Sequence, residues 1–158
     1  MADRKPYVGG NWKMNLNLAD AQGLAEALAE GIGSTEQVDV AIFPPFPHLS
    51  PVANLLCSAG SLITVGAQDV YPEANGAFTG EVSVEMVRDV GGRSILAGHS
   101  ERRHVIGETD LQVNAKVRAA LAGHLDVVLC VGETLAQREA GQTDAVNIAQ
   151  TYYGLAGV

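Results

Sequence analysis

Five short runs rich in β-branched and small apolar residues recur along the chain, at residues 7–10, 38–43, 63–67, 95–98 and 127–131. Their starts lie 31, 25, 32 and 32 residues apart, a spacing that fits one strand, one helix and the loops joining them. Helix-period stretches fill the gaps. Leu18, Ala21, Ala25, Leu28, Ala29 and Ile32 step by threes and fours along one face, with Gly31 and Gly33 as a stop. Leu49, Val52, Ala53, Leu56 and Ala59 repeat the pattern behind Pro51, which fits a first helical turn. Val84 and Val87 predict a shorter helix, capped by Ser83 and ended at Gly91 and Gly92. Val113, Val117, Ala120 and Leu121 mark a fourth. Ala145, Ile148, Ala149, Tyr152 and Leu155 mark the last.

The strand runs, Val127 to Val131 above all, are continuously apolar instead of alternating, as in strands covered on both faces. Strict βα alternation without a hairpin turn predicts an all-parallel sheet, either doubly wound or curling into a barrel. Periodicity does not choose between the two. No low-complexity segment or linker interrupts the chain, so residues 1–158 read as a single domain.

Composition narrows the function classes. With 47% apolar and 18% charged residues the chain is too apolar for disorder, and no apolar run approaches the roughly 18 residues of a membrane span. Met1 to Pro6 is charged and leads straight into a strand-like run, unlike a secretory signal; a cytoplasmic protein is the expectation. The net charge of −8 makes nucleic acid and anionic membrane surfaces poor partners. An anionic small molecule would need a local positive site. Cys57 and Cys130 lack the spacing of a zinc or redox pair and read as reduced, mostly buried thiols.

In either parallel architecture the functional face is formed by the C-terminal strand ends and the loops after them. After the first run come Asn11, Lys13 and Asn15, where Lys13 can attract an anion and Asn11 can donate to an oxygen, or all three can simply form a surface turn. After the fourth run comes Gly98-His99-Ser100-Glu101-Arg102-Arg103-His104. His99, the first polar side chain off the strand, is placed for proton transfer or polarisation, or for a structural hydrogen bond. Glu101, Arg102 and Arg103 read equally as a surface ion-pair network of little energetic weight. His99 and His104, five apart, lack a metal-binding pattern. Residues 75–81 read as a protruding glycine-flanked loop whose Phe78 docks into its own protein or a partner, and Gly132-Glu133-Thr134 leads into a loop and capping segment. The first βα turn has no dinucleotide fingerprint, and no P-loop or nucleophile elbow is present. Cofactor-free chemistry is favoured by subtraction.

Joined in order, Asn11-Trp12-Lys13-Met14-Asn15, Gly76-Ala77-Phe78-Thr79-Gly80-Glu81, Gly98-His99-Ser100-Glu101-Arg102-Arg103 and Cys130-Val131-Gly132-Glu133-Thr134 resemble the triosephosphate isomerase family. The match extends to Pro44-Pro45 and Gly66-Ala67-Gln68-Asp69 and covers essentially the whole chain. It implies an α/β (β/α)8 barrel, a homodimer, and cofactor-free, metal-free interconversion of dihydroxyacetone phosphate and glyceraldehyde 3-phosphate. By motif match Lys13 is the cation facing substrate oxygens and phosphate, Asn11 a substrate-binding amide and His99 the neutral electrophile. Glu101 helps to position Lys13, with Ser100 beside it as a supporting residue. The segment of Gly76, Phe78, Thr79 and Glu81 is the dimer loop, with Thr79 at its tip entering the other subunit beside its Lys13.

The chain departs from the family at its end. The family's base, a glutamate after the sixth strand, and its later phosphate-gripping turns have no counterpart before Val158, and Glu133 and Glu139 match fifth-loop positions instead. About five βα units, an incomplete barrel, are therefore expected, with exposed first and fifth strand edges. Two such arcs would bring ten strands instead of eight. The expectation is a truncated isomerase, slowed by about two to four orders of magnitude without its base. It would be completed by a C-terminal fragment of the same enzyme or kept soluble by self-association. The alternative is a non-catalytic form that associates in the same ways. An unrelated doubly wound ligand-binding domain is disfavoured by the missing glycine fingerprint.

Overall fold

The computed structural model describes residues 4–158; the first three residues of the charged start on which the no-signal expectation rests lie outside them. Five strands, β1 (Tyr7–Asn11), β2 (Asp39–Phe43), β3 (Thr64–Ala67), β4 (Ser94–Ala97) and β5 (Asp126–Leu129), follow one another in the sheet in chain order. Helices intervene: α1 (Leu18–Ile32), α2 (Phe46–Ser58), α3 (Val84–Asp89), a π-helical turn (Arg102–Ile106), α4 (Asp110–Ala122), α5 (Leu135–Glu139) and α6 (Thr143–Gly154). The fold is therefore five parallel βα units, an incomplete (β/α)8 barrel. Contacts gather into two compact units, one of Met1–Gln68 with Glu85–Ile95, the other of Asp69–Val84 with Leu96–Val158.

In the first unit β1 pairs in parallel with β2 from Tyr7 opposite Asp39 to Asn11 opposite Phe43, β2 with β3 through Ala41 and Ile42, and β3 with β4 through Gly66 and Ala67. Asn17 caps α1 by accepting from the Asp20 N–H at 3.0 Å, and Gly33 ends it by donating to the Ala29 carbonyl. Ala21 and Ala25 are fully buried, so α1 and α2 approach closely. Helix α2 contributes Leu49, Val52 and Leu56 to the core beside Phe43, Val65 and Ile95. It starts earlier than expected, with Pro47 in its first turn and Pro51 inside it. Because Pro45 and Pro47 already set backbone angles suited to a helix start, Pro51 falls where its missing N–H removes an interior bond.

In the second unit a reciprocal capping box opens α4, with Thr109 and Gln112 bonding each other's backbone N–H. Val113, Val117 and Ala120 are buried as expected, whereas Leu121 is exposed. The backbone N–H of Cys130 donates to the Ala97 carbonyl at 2.8 Å, tying the end of β5 to the end of β4. Residues 135–139, expected as loop and capping segment, form α5 under a second Thr-Gln capping box, made by Thr134 and Gln137. Helix α6 inverts the expected face: Ile148 and Tyr152 are exposed, while Asn147 and Gln150 turn inward to bond Glu133 and Gly132. The bonds of Gln150 and Asn147 to the loop after β5 set which face of α6 turns inward.

Only the central strands are buried as the continuous apolar runs suggested. β2 to β4 are mostly buried, but Tyr7 and Val8 of β1 are about half exposed and β5 is intermediate, since the sheet gives each only one neighbouring strand. Among the described residues no helix is long and apolar enough to cross a membrane.

Gly66 is fixed by packing. A Cβ there would overlap the Phe43 ring edge and Ser94 Oγ. Gly66→Ala is expected to cost about 1–3 kcal/mol by overpacking, read as a lower urea midpoint. Gly31→Ala, where a Cβ meets nothing within 4 Å inside α1, should instead leave stability unchanged or raise it by about 0.5–1 kcal/mol.

Candidate active site

The turn leaving β1 is held by its own polar groups. The Trp12 N–H donates to the Phe43 carbonyl at 3.1 Å, continuing the sheet ladder past the last strand residue. Asn11 then accepts from the Lys13 N–H through Oδ1 at 2.9 Å, and Asn15 donates from Nδ2 to the Trp12 carbonyl at 2.8 Å. Between these bonds Lys13 sits at φ +55°, and just beyond them Leu16 at φ +73°, a region that costs a non-glycine residue about 1–2 kcal/mol. With the Asn11 oxygen committed to the backbone, its amide nitrogen is the group available to a ligand. Lys13 projects from an exposed position. Gln68, the first residue beyond β3, donates from Nε2 to both the Lys13 and Phe43 carbonyls at 2.8 Å. No role for Gln68 was drawn from the sequence, although its place, first polar side chain off a strand, is the one that singled out His99.

Beyond β4, Gly98 turns at φ +71° and His99 follows, part-buried, ahead of a helical turn that starts at Ser100. The Glu101 backbone N–H points at His99 Nδ1 at 3.3 Å, and Glu101 Oε2 lies 3.4 Å from the same atom. A backbone N–H can only donate, and of the two Glu101 contacts this one has hydrogen-bond geometry, so in the neutral ring Nδ1 carries a lone pair and the proton is assigned to Nε2. The Arg103 N–H donates to the His99 carbonyl at 3.0 Å, holding the residue from its other side.

Arg102 and Arg103 are not the loose surface pairs expected. The Arg103 side chain is 7% exposed; it donates to the Gly98 carbonyl at 2.7 Å and to Asp110 Oδ1 at 2.5 Å, and reaches the Cys130 carbonyl at 3.4 Å. Arg102 joins a buried cluster missed in the sequence. Lys116 Nζ contacts Asp69 Oδ1 and Oδ2 at 2.7 and 2.8 Å and also Glu108 Oε1, while Arg102 bridges Asp69 at 2.9 Å and Glu108 at 3.2 Å. Glu108 Oε2 is buried with no hydrogen-bond partner. Burial pushes the Asp69 carboxyl up against the pull of Lys116 and Arg102. For Glu108 burial acts in the same direction, but bonding and charge from Lys116, then Arg102, bring it below the usual glutamate value. A signal existed: Lys116 occupies the i+3 place of the stripe Val113, Val117, Ala120, a core position for a charged residue.

The remaining site segments also find places. Phe78 packs on Tyr71 of its own chain, ring centroids 4.5 Å apart, and the Tyr71 N–H donates to the Val82 carbonyl. Thr79 and Glu81 are exposed on this loop, and Gly76 lies against the Phe78 ring. Glu133 is clamped by Arg138 at 2.7 and 2.8 Å, by Thr143 at 3.2 Å and by Asn147 at 3.4 Å. Its carboxyl is lowered by a backbone hydrogen bond first and Arg138 next. Cys57 is exposed, contrary to expectation, because it sits on the outer face of the last turn of α2. Cys130 is part-buried, and burial raises its thiol. Among the described residues no three His, Cys, Asp or Glu side chains group to hold a metal ion.

Parallel βα units with polar side chains just beyond the C-terminal strand ends are the arrangement of the (β/α)8-barrel class. The family model for triosephosphate isomerase matches residues 6–158. The chain is 48% identical over 155 residues to the triosephosphate isomerase of Carboxydothermus hydrogenoformans, covering 98% of this chain and 61% of the relative. It is 46% identical to that of Roseiflexus sp., with 98% and 60% covered, and 44% identical to that of Rhodopirellula baltica, with the same coverage. The chain belongs to the triosephosphate isomerase family, and it spans about three fifths of the length of these curated relatives.

Lys116→Met should cost about 3–5 kcal/mol, since it leaves two buried carboxylates with one cation, Arg102, in place of two, read by chemical denaturation at neutral pH. Glu133 supplies a pH test. Its folded carboxyl titrates below the unfolded one, so the unfolded chain binds more protons in that window and stability rises with pH through it. The contribution is full above the ordinary glutamate value and lost as pH falls through the folded one. Glu133→Gln should therefore flatten the acid limb of a urea-midpoint against pH curve.

Proposed function

We propose that the chain carries part of the machinery for cofactor-free interconversion of dihydroxyacetone phosphate and glyceraldehyde 3-phosphate. The supporting observation is the His99 ring, whose Nδ1 meets the Glu101 N–H and whose Nε2 is thereby left as a donor. A donor fixed in advance stabilises negative charge developing on a substrate carbonyl oxygen without reorganising during the reaction. Lys13 supplies the cation for the phosphate and the same oxygens, and Asn11 an amide donor. Ser100 opens the turn that presents the donor N–H. The substrate is a small phosphorylated triose; neither cofactor nor metal takes part. The protein works in the cytoplasm as one partial-barrel domain over residues 1–158. It pairs as a homodimer through the loop of Gly76, Phe78, Thr79 and Glu81, a segment pre-shaped by the Tyr71–Phe78 stack.

A second reading is favoured by Glu133. Its carboxylate is engaged by Arg138, Thr143 and Asn147, so the acid after β5 is poorly placed to take a substrate proton. This reading is a form that binds without turnover, self-associated or completed by a C-terminal piece of the same enzyme.

A coupled isomerase assay on the pure chain, compared with His99→Gln, separates the readings. Weak turnover that falls about 10²–10³-fold in the variant supports the first; binding of a small phosphorylated enediolate mimic with no turnover supports the second. Turnover unaffected by His99→Gln would remove His99 from the chemistry. Sedimentation of the chain should show a dimer that Thr79→Arg dissociates.

A further inference from the structure

One residue has a strong geometric role and no assigned purpose. Gln68 stands first beyond β3, and its side-chain nitrogen donates to two backbone carbonyls at once, Lys13 and Phe43, each at 2.8 Å. Two carbonyl acceptors admit only the amide nitrogen with its two N–H groups, so the orientation of the carboxamide is fixed by chemistry. The Phe43 carbonyl also receives the Trp12 N–H at 3.1 Å, so Gln68 and Trp12 converge on one oxygen at the end of β2. Lys13 meanwhile holds φ +55°, a conformation an L-residue adopts only when its surroundings impose it. Asn11 holds the N–H of that residue and Gln68 holds its carbonyl, so both peptide groups flanking the strained Cα are pinned.

We propose that Gln68 is a positioning residue for Lys13: by anchoring the Lys13 carbonyl to the end of β2 it keeps the residue at positive φ and thereby sets the direction in which its ammonium leaves the turn. Without the anchor the peptide after Lys13 rotates, the residue relaxes to negative φ, and the side chain departs along a different line. The functional weight of this placement rests on the proposed role of Lys13 as the substrate's cation; the conformational control itself does not.

The test uses the 158-residue chain labelled with 15N and 13C. The one-bond Cα–Hα coupling of Lys13 distinguishes positive from negative φ. Gln68→Met keeps the length of the side chain without a donor, and Gln68→Glu replaces the donor by an acceptor facing two carbonyls. Both should move the Lys13 coupling to its negative-φ value, and Gln68→Asn, which keeps the amide one methylene short, should move it less. A Lys13 coupling unchanged in Gln68→Met and Gln68→Glu overturns the proposal. If those variants do not fold, the unaltered chain decides: both Gln68 side-chain amide protons should exchange slowly with solvent, and fast exchange overturns the proposal. A separate titration of the unaltered chain with a small phosphorylated enediolate mimic, followed at Lys13 Nζ, tests the functional reading alone. No response there, with the coupling shifted in the variants, leaves Gln68 as the anchor of Lys13 and removes Lys13 from substrate binding.

Discussion

A lysine in the core stripe of α4 dictates much of what surrounds it. Lys116 lies between Val113, Val117 and Ala120, and its side chain is 7% exposed. Taking an ammonium out of water costs several kcal/mol unless oxygens replace the lost hydration. Asp69 and Glu108 supply them, and their own charges in turn draw in Arg102. One helix position thereby ties together Asp69, two residues past β3, the turn that precedes α4 and the first residue of the π-helical turn. Glu108 Oε2 remains buried without a partner, which makes the cluster costly as well as specific.

Away from this cluster, the groups with chemical potential are oriented chiefly by the backbone. Asn11 receives the Lys13 N–H, Gln68 reaches the Lys13 carbonyl, and a main-chain N–H selects the His99 tautomer. Main-chain groups at strand ends are placed by the sheet ladder itself, so they hold a side chain more rigidly than another flexible side chain would. The arrangement also tolerates exposure: Lys13 is an exposed residue, while the groups controlling its backbone are locked to β2 and β3.

The strands were legible because each is a compact apolar run between glycines and polar loops, and the central three are buried on that account. The helix faces were less so. Ala21, Ala25, Val113 and Val117 obeyed their spacing, but α6 turns Asn147 and Gln150 inward to meet hydrogen-bonding groups of the loop after β5 and leaves Ile148 and Tyr152 exposed. Such pairing is tertiary and leaves no periodic trace. Lys116 was different: its place in an apolar stripe was visible, and it was passed over because lysine usually reads as surface. Asn11, Lys13 and His99 were singled out as candidates by position together with the family resemblance, whereas the bonds of Gln68 needed coordinates, since nothing local links it to a turn 55 residues earlier.

The composition of the two compact units bears on how the chain acquires its structure. The first unit is interrupted: it leaves at Gln68, resumes at Glu85 and takes its last strand residues from β4. During synthesis β3 therefore lacks a neighbour on one side until residue 95 has emerged, although β1, β2 and their helices are already available to pair. Asp69 waits longer, because Lys116 follows it by 47 residues. Until then an aspartate destined for the core stays hydrated, and the segment around it gains little by collapsing. Contacts of such long separation pay their loop-closure cost before they are rewarded, so β1, β2 and the α1–α2 pair have partners in reach before the ionic cluster does.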